Sequence, residues 1–239
     1  MPVVLITGSG KRIGKGLALR FARDGWDVII HYNTSKTSAE DVRNQIISMG
    51  RDSVLIKSDI RSEEQVVDSF KNAVNGIGVP DVMINNAAVF PPQTPLSELN
   101  QDQWDDILNI NLRSAFFFSK IFAEYAQENS RIINISSLGG IKIWKQRIPY
   151  NVSKAGLIQL TKALAKELAP NIAVNSICPG AILVEDEPSE NDIYVIAKNR
   201  IPMIRHGNVD DIYGAAHFFA TCSKYITGQI LCIDGGLSL

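Results

Sequence analysis

Seven short apolar runs, rich in β-branched residues, recur along the chain: Val3–Ile6, Val28–His31, Val54–Ile56, Val82–Ile84, Ile132–Ile135, Val174–Ile177 and Ile230–Ile233. Between them lie longer segments whose apolar residues fall at helical spacing. These are Ile13–Arg23, Ala39–Met49, Glu63–Asn75, Trp104–Gln127, Val152–Leu168 and Val209–Thr221. Strands apolar on both faces and separated by helices predict a parallel sheet covered on both sides. The rhythm therefore predicts a doubly wound α/β fold with seven parallel strands. Ligands of such sheets bind at the carboxyl ends of the strands. No repeat, low-complexity stretch or linker divides the chain, which predicts one domain over residues 1–239.

Composition narrows the class. The chain has 239 residues, is 45% apolar and carries a net charge of −1. That is enough apolar residue for a sizeable core. Near-neutrality predicts no general attraction to nucleic acid or to an anionic membrane. The apolar stretches are too short to span a bilayer. The opening MPVVLITGSG reads as a buried strand entering a turn, without the charged region of a signal peptide. Cys178, Cys222 and Cys232 lack metal-ligand spacing, and His31, His206 and His217 are scattered. The expectation is structural thiols in a reducing cytoplasm and no metal site.

The chemistry concentrates at Tyr150, Lys154 and Ser137. Positions i and i+4 share a helix face, so the Lys154 ammonium is expected beneath the Tyr150 phenol. A cation there favours phenolate and gives a usable proton donor and acceptor for a carbonyl. Ser137, thirteen residues upstream at the end of an apolar run, can hold the substrate oxygen as charge develops. Tyr32/Lys36 and Tyr194/Lys198 repeat the spacing, but Leu19 and Ala181 stand where the hydroxyl is needed. Those two pairs are read as chance.

Thr7-Gly8-Ser9-Gly10-Lys11-Arg12-Ile13-Gly14-Lys15-Gly16 follows the first strand and opens the first helix. Glycines allow a tight turn and close approach to a pyrophosphate, which a helix N-terminus attracts. The glycines depart from strict G-x-G-x-x-G spacing, so position at the first βα junction carries the nucleotide reading. The second strand ends His31-Tyr32-Asn33-Thr34-Ser35, without the acid that would accept the ribose 2′-OH of NAD. Lys11 and Arg12 add positive charge where a 2′-phosphate would lie. The cofactor expected is NADP⁺/NADPH.

Over essentially its whole length the chain resembles the short-chain dehydrogenase/reductase family. The matching landmarks are Thr7–Gly16, Asp59, Asn85-Asn86-Ala87-Ala88, Asn111, Ser137, Tyr150/Lys154, Pro179-Gly180 and Asp234-Gly235-Gly236. The resemblance implies a Rossmann-type fold and a catalytic tetrad of Asn111, Ser137, Tyr150 and Lys154. In that tetrad Asn111 holds a water that links Lys154 to solvent, and Lys154 also bonds the nicotinamide ribose. It further implies cofactor contacts from Gly8, Lys11, Arg12, Ile13, Tyr32, Asn33, Ser35, Asp59, Ile60, Asn86, Ala87, Tyr150, Lys154, Pro179, Gly180 and Ile182. Arg12 departs from the family's usual glycine, and Val184 from a common threonine. A homotetramer or dimer is implied too.

Within the family, Arg12, the His31–Ser35 stretch and Asn85–Pro91 are similar to pteridine reductases of the dihydromonapterin reductase type. There an aromatic at the Phe90 position stacks on the pterin. Ser137 points the other way, because those relatives carry aspartate there, whereas serine suits a carbonyl oxygen. The expectation is an NADPH-dependent reductase of C=O or C=N with Tyr150 as proton donor, the first-choice substrate being a pteridine bound through Phe90, Ser137 and Tyr150, and the alternative a 3-oxoacyl thioester or ketone. A catalytically silent dinucleotide-binding protein is the rival of another class. The acidic segment 185–200, with Glu185, Asp186, Glu187 and Glu190, is expected to form a substrate loop.

Overall fold

A computed structural model describes residues 1–184 and 196–239. Seven strands form one parallel sheet: β1 (Val3–Ile6), β2 (Asp27–Tyr32), β3 (Ser53–Lys57), β4 (Val82–Asn85), β5 (Arg131–Ile135), β6 (Ala173–Pro179) and β7 (Ile230–Ile233). Their order is β3-β2-β1-β4-β5-β6-β7. The winding reverses between β1 and β4, which opens a crevice at their carboxyl ends. The helices are α1 (Arg12–Arg23), α2 (Lys36–Ser48), α3 (Glu63–Ile77), α4 (Gln101–Leu108), α5 (Ser114–Tyr125), α6 (Ile148–Glu167) and α7 (Val209–Thr221).

Alternation along each strand explains why the runs are apolar throughout. In β1, Val4 and Ile6 pack with Leu17 and Phe21 of α1 and Phe219 of α7. Val3 and Leu5 point to the other side, toward Phe70 of α3 and Phe118 and Phe122 of α5. Both faces are dry, so neither tolerates a polar alternate residue. Side-chain caps begin several helices: Ser62 caps α3, and Asn100 and Asn208 form capping boxes with Gln103 and Asp211 on α4 and α7.

The single helix expected over Trp104–Gln127 is instead divided. A π-helical turn, Asn109–Arg113, separates α4 from α5. Within that turn, buried Asn111 accepts from the Val89 amide at 2.8 Å and donates to the Val89 carbonyl at 3.0 Å. Helix α6 begins at Ile148 rather than Val152, with proline in its first turn, so it includes Tyr150.

A polar ladder crosses the interior. Asn85 on β4 donates to Asn134 on β5 at 2.8 Å and to Ser119 of α5 at 3.3 Å. Asn134 donates to Thr161 of α6 at 2.9 Å, and Ser176 on β6 donates to the Asn134 carbonyl at 3.0 Å.

Candidate active site

A cavity of about 870 Å³ runs across the carboxyl ends of the strands, from Gly8 and Arg12 to Phe90 and Arg147. Its first half is built by the turn after β1. Gly8 has a φ of 64°, and Thr7 Oγ1 accepts from the amides of Asn86 and Ala87 at 2.9 and 3.0 Å. Asn86 Nδ2 in turn donates to the Thr7 carbonyl at 2.9 Å, which locks the turn to the end of β4. A Cβ on Gly14 would lie 2.3 Å from the Gly8 carbonyl oxygen, so the cradle admits no side chain there. Helix α1 begins directly after this turn, and a helix N-terminus attracts an anion.

Gly8, Lys11, Arg12, Ile13, Asn33, Asp59, Ile60, Asn86 and Ala87 all line this half of the cavity, and Pro179, Gly180 and Ile182 line it at the ends of β6 and beyond. Arg12 holds a φ of 51°, a conformation that explains why glycine is usual at such a turn. Arg61 grips Asp59 at 2.7 and 3.0 Å and holds its carboxyl below the ordinary value. Two expected contacts lie off the lining. Tyr32 is buried in the core at the end of β2, and Ser35 is the N-cap residue of α2.

The second half carries Ser137, Tyr150 and Lys154. Ser137 follows β5 and begins a short 3₁₀ turn, where its Oγ accepts from the Gly139 amide at 3.0 Å. Tyr150 is 8% exposed and Lys154 3%. Burial pushes the Tyr150 phenol up to about 12, against the Ser137 hydrogen bond and the Arg147 cation, which both favour phenolate. Lys154 donates to the Ile135 carbonyl at 2.9 Å, and burial brings it down to about 8. Arg147 is one cation that favours phenolate at Tyr150, and Lys154, one turn along the same helix, is hydrogen-bonded to the end of β5.

Asn111 does not line the cavity; its side chain is taken up by Val89 and by Ser153 Oγ, 3.2 Å away. Phe90 does line it, 38% exposed, with its ring centroid 4.8 Å from that of Tyr150. Arg147 and Trp144 were missed in the sequence. Arg147 covers a face of Phe90 at 3.8 Å, and its turn is fixed by Asn151, which donates to the Trp144 carbonyl at 2.8 Å. Only the spacing of Arg147 from Tyr150, one helical turn, could have signalled it. Glu185, Asp186, Glu187 and Glu190 of the expected substrate loop lie outside the described residues, while Lys198–Arg200 forms a 3₁₀ turn. Among the described residues no group of three or more His, Cys, Asp or Glu side chains could hold a metal ion, and no helix is long and apolar enough to cross a membrane.

A glycine-rich cradle at the reversal point, with a buried Tyr-Lys pair facing it, defines a dinucleotide-dependent oxidoreductase. The chain belongs to the short-chain dehydrogenase/reductase family. Residues 8–238 match the family model described as Enoyl-(Acyl carrier protein) reductase. A 3-oxoacyl-[acyl-carrier-protein] reductase of Synechocystis sp. is 32% identical over 240 residues, covering 98% of this chain and 96% of the relative. The Staphylococcus epidermidis protein of the same description is 33% identical, covering 98% and 97%. Among solved structures, a Burkholderia cenocepacia short-chain dehydrogenase in complex with NADP is 30% identical with a TM-score of 0.92, covering 100% of this chain and 98% of that one. The cradle, the absence of an acid at the end of β2 and the Lys11/Arg12 charges fit NADP(H), and the protein is an NADP-dependent reductase.

Proposed function

We propose that this enzyme reduces the ketone of a 3-oxoacyl thioester or a related small carbonyl compound to the alcohol. The observation that carries this reading is the Ser137–Tyr150 pair: two neutral hydroxyls converge at the cavity floor, where a carbonyl oxygen needs donors. NADPH, when bound, supplies the hydride to the carbonyl carbon. Ser137 holds the carbonyl oxygen, and Tyr150 gives its proton to that oxygen as the alkoxide forms. Lys154 fixes the floor through Ile135 and lies one turn from Tyr150, where it can restore the proton. Asn111 acts through its bonds to Val89 and so positions the Phe90 segment. The two similar 3-oxoacyl-[acyl-carrier-protein] reductases act on this substrate class.

The pteridine reading is less well supported. A planar ring stacking on Phe90 would compete with the Arg147 guanidinium already covering one face. NADPH oxidation with acetoacetyl thioesters and diketones on one side, dihydropterins and dihydrofolate on the other, separates the two. The expected result is robust ketone reduction and crippling by Ser137→Asp, since a carboxylate repels the alkoxide. Dihydropterin turnover that survives Ser137→Asp but falls severalfold on Phe90→Ala would reverse the assignment. A homotetramer or dimer belongs to the same reading and is supported by exposed Phe116 on α5 and Val152 on α6.

A further inference from the structure

His31 stands near the carboxyl end of β2, 2% exposed, and takes no part in the proton chemistry above. Its ring touches three elements. The Gly8 amide donates to Nδ1 at 3.1 Å, so Nδ1 carries no proton. Nε2 therefore carries it, and lies 3.2 Å from the Ser58 carbonyl and 3.1 Å from the Ser58 hydroxyl. Ser69 of α3 donates to that same hydroxyl at 3.1 Å. Phe118 of α5 packs edge-on against the imidazole, centroids 5.6 Å apart. The partners fix one neutral tautomer.

We propose that His31 is a positioning residue for the dinucleotide. In its neutral Nε2–H form it ties the Gly8 turn to the Ser58–Ile60 wall and so sets the spacing of the cofactor cleft. Gly8 lies on one side of that cleft, and Asp59 and Ile60, next to Ser58, lie on the other. A second proton has no place on the ring, because an Nδ1–H would face the Gly8 N–H. Gly8 also packs closely against the segment after β4: a Cβ on it would lie 3.0 Å from the Ala87 Cα. Burial accordingly brings His31 down to about 4, opposed by its hydrogen bond to the Ser58 backbone. The groups facing it are Gly8, Ser58, Phe118 and, through Ser58, Ser69. Lys57 and Asp59 flank Ser58 in sequence; Lys57 is exposed at the end of β3, and the Asp59 carboxylate is turned to Arg61.

Two substitutions separate the ends of the ring. The His31→Asn side chain can put an oxygen where Nδ1 accepts from Gly8, whereas His31→Gln reaches toward Ser58. NADP⁺ binding to each folded protein is measured by calorimetry from neutral pH down to about pH 4, where the His31 ring titrates. His31→Asn is expected to bind within a few-fold of wild type at neutral pH and His31→Gln about tenfold more weakly, the cost of leaving the Gly8 amide unmatched. Wild-type affinity should weaken toward acid more steeply than that of His31→Asn; titration of the 2′-phosphate is common to both and cancels. Equal affinities of the two variants, or parallel pH dependence of wild type and His31→Asn, would overturn the proposal. Nitrogen NMR of the wild-type ring is a check independent of any variant: an Nδ1–H or charged imidazole at neutral pH defeats it.

Discussion

Arg147 lays its guanidinium 3.8 Å over the Phe90 ring, and the same ring meets Tyr150 at 77°. The cation favours phenolate at Tyr150 and so offsets part of the burial that raises the phenol. Replacing Arg147 with Gln removes the charge and leaves a polar side chain of moderate length. The pH at which NADP⁺-linked alcohol oxidation levels off should then rise by roughly half a unit to one unit. Arg147→Lys should stay close to wild type. A shared loss of rate in both variants, with unmoved pH profiles, would reduce Arg147 to packing.

Tyr150→Phe deletes the reacting oxygen and little else. Turnover should fall by about 10²–10⁴, the usual worth of general acid catalysis, while NADPH fluorescence titrations stay near wild type. Retention of more than about a tenth of the rate would remove Tyr150 from the mechanism.

Arg12 combines a useful charge with an unfavourable φ of 51°. Arg12→Gly should raise the unfolding temperature of the cofactor-free protein by a few degrees, since a left-handed residue costs about 1 kcal/mol. The same change should weaken NADPH about 10–100-fold and leave NADH nearly untouched. Calorimetry and cofactor titrations on one preparation read both effects.

Lys154 illustrates a cost of function. Burial brings it down to about 8 in the folded chain from an ordinary 10.5, so the unfolded chain holds more protons between those values. Wild-type stability therefore rises with pH across that window, and below pH 8 the whole penalty of burying the charge is felt. Lys154→Met should be inactive yet more stable at pH 7, with an advantage on the order of 1–3 kcal/mol that shrinks as pH climbs from 8 to 10.5. Denaturant melts at several pH values test the sign.

The strands were legible because their runs are apolar: β1 is buried throughout, and even the edge strand β7, where Leu231 is exposed, falls where Ile230–Ile233 predicts it. The division of α4 from α5 was not, because Asn109–Arg113 keeps helical spacing and contains neither Gly nor Pro. Within that turn Asn111 bonds to Val89, a partner far away in sequence. That Tyr150, Lys154 and Ser137 share one cavity was expected from their spacing taken together with the family landmarks around them. Arg147 was not, since a cation before a helix reads as solvated until Phe90 is seen beneath it. Tyr32 was expected at the cofactor from the resemblance of the His31–Ser35 stretch, but strand alternation turns it into the core.

The ladder through Asn134 works as an index mark between machine parts. Helix α6 could slide along a purely apolar strand at little cost, for greasy surfaces have no preferred notch. The bond from Asn134 to Thr161 gives the slide one stop, and Asn85 and Ser176 hold β5 at the matching stop against its neighbours. Tyr150 rides on that helix eleven residues upstream of Thr161. The precision with which the phenol meets a substrate oxygen is thus calibrated inside the sheet, by amides that touch neither substrate nor cofactor. Damage to that calibration would be felt as lost rate in a protein that still folds.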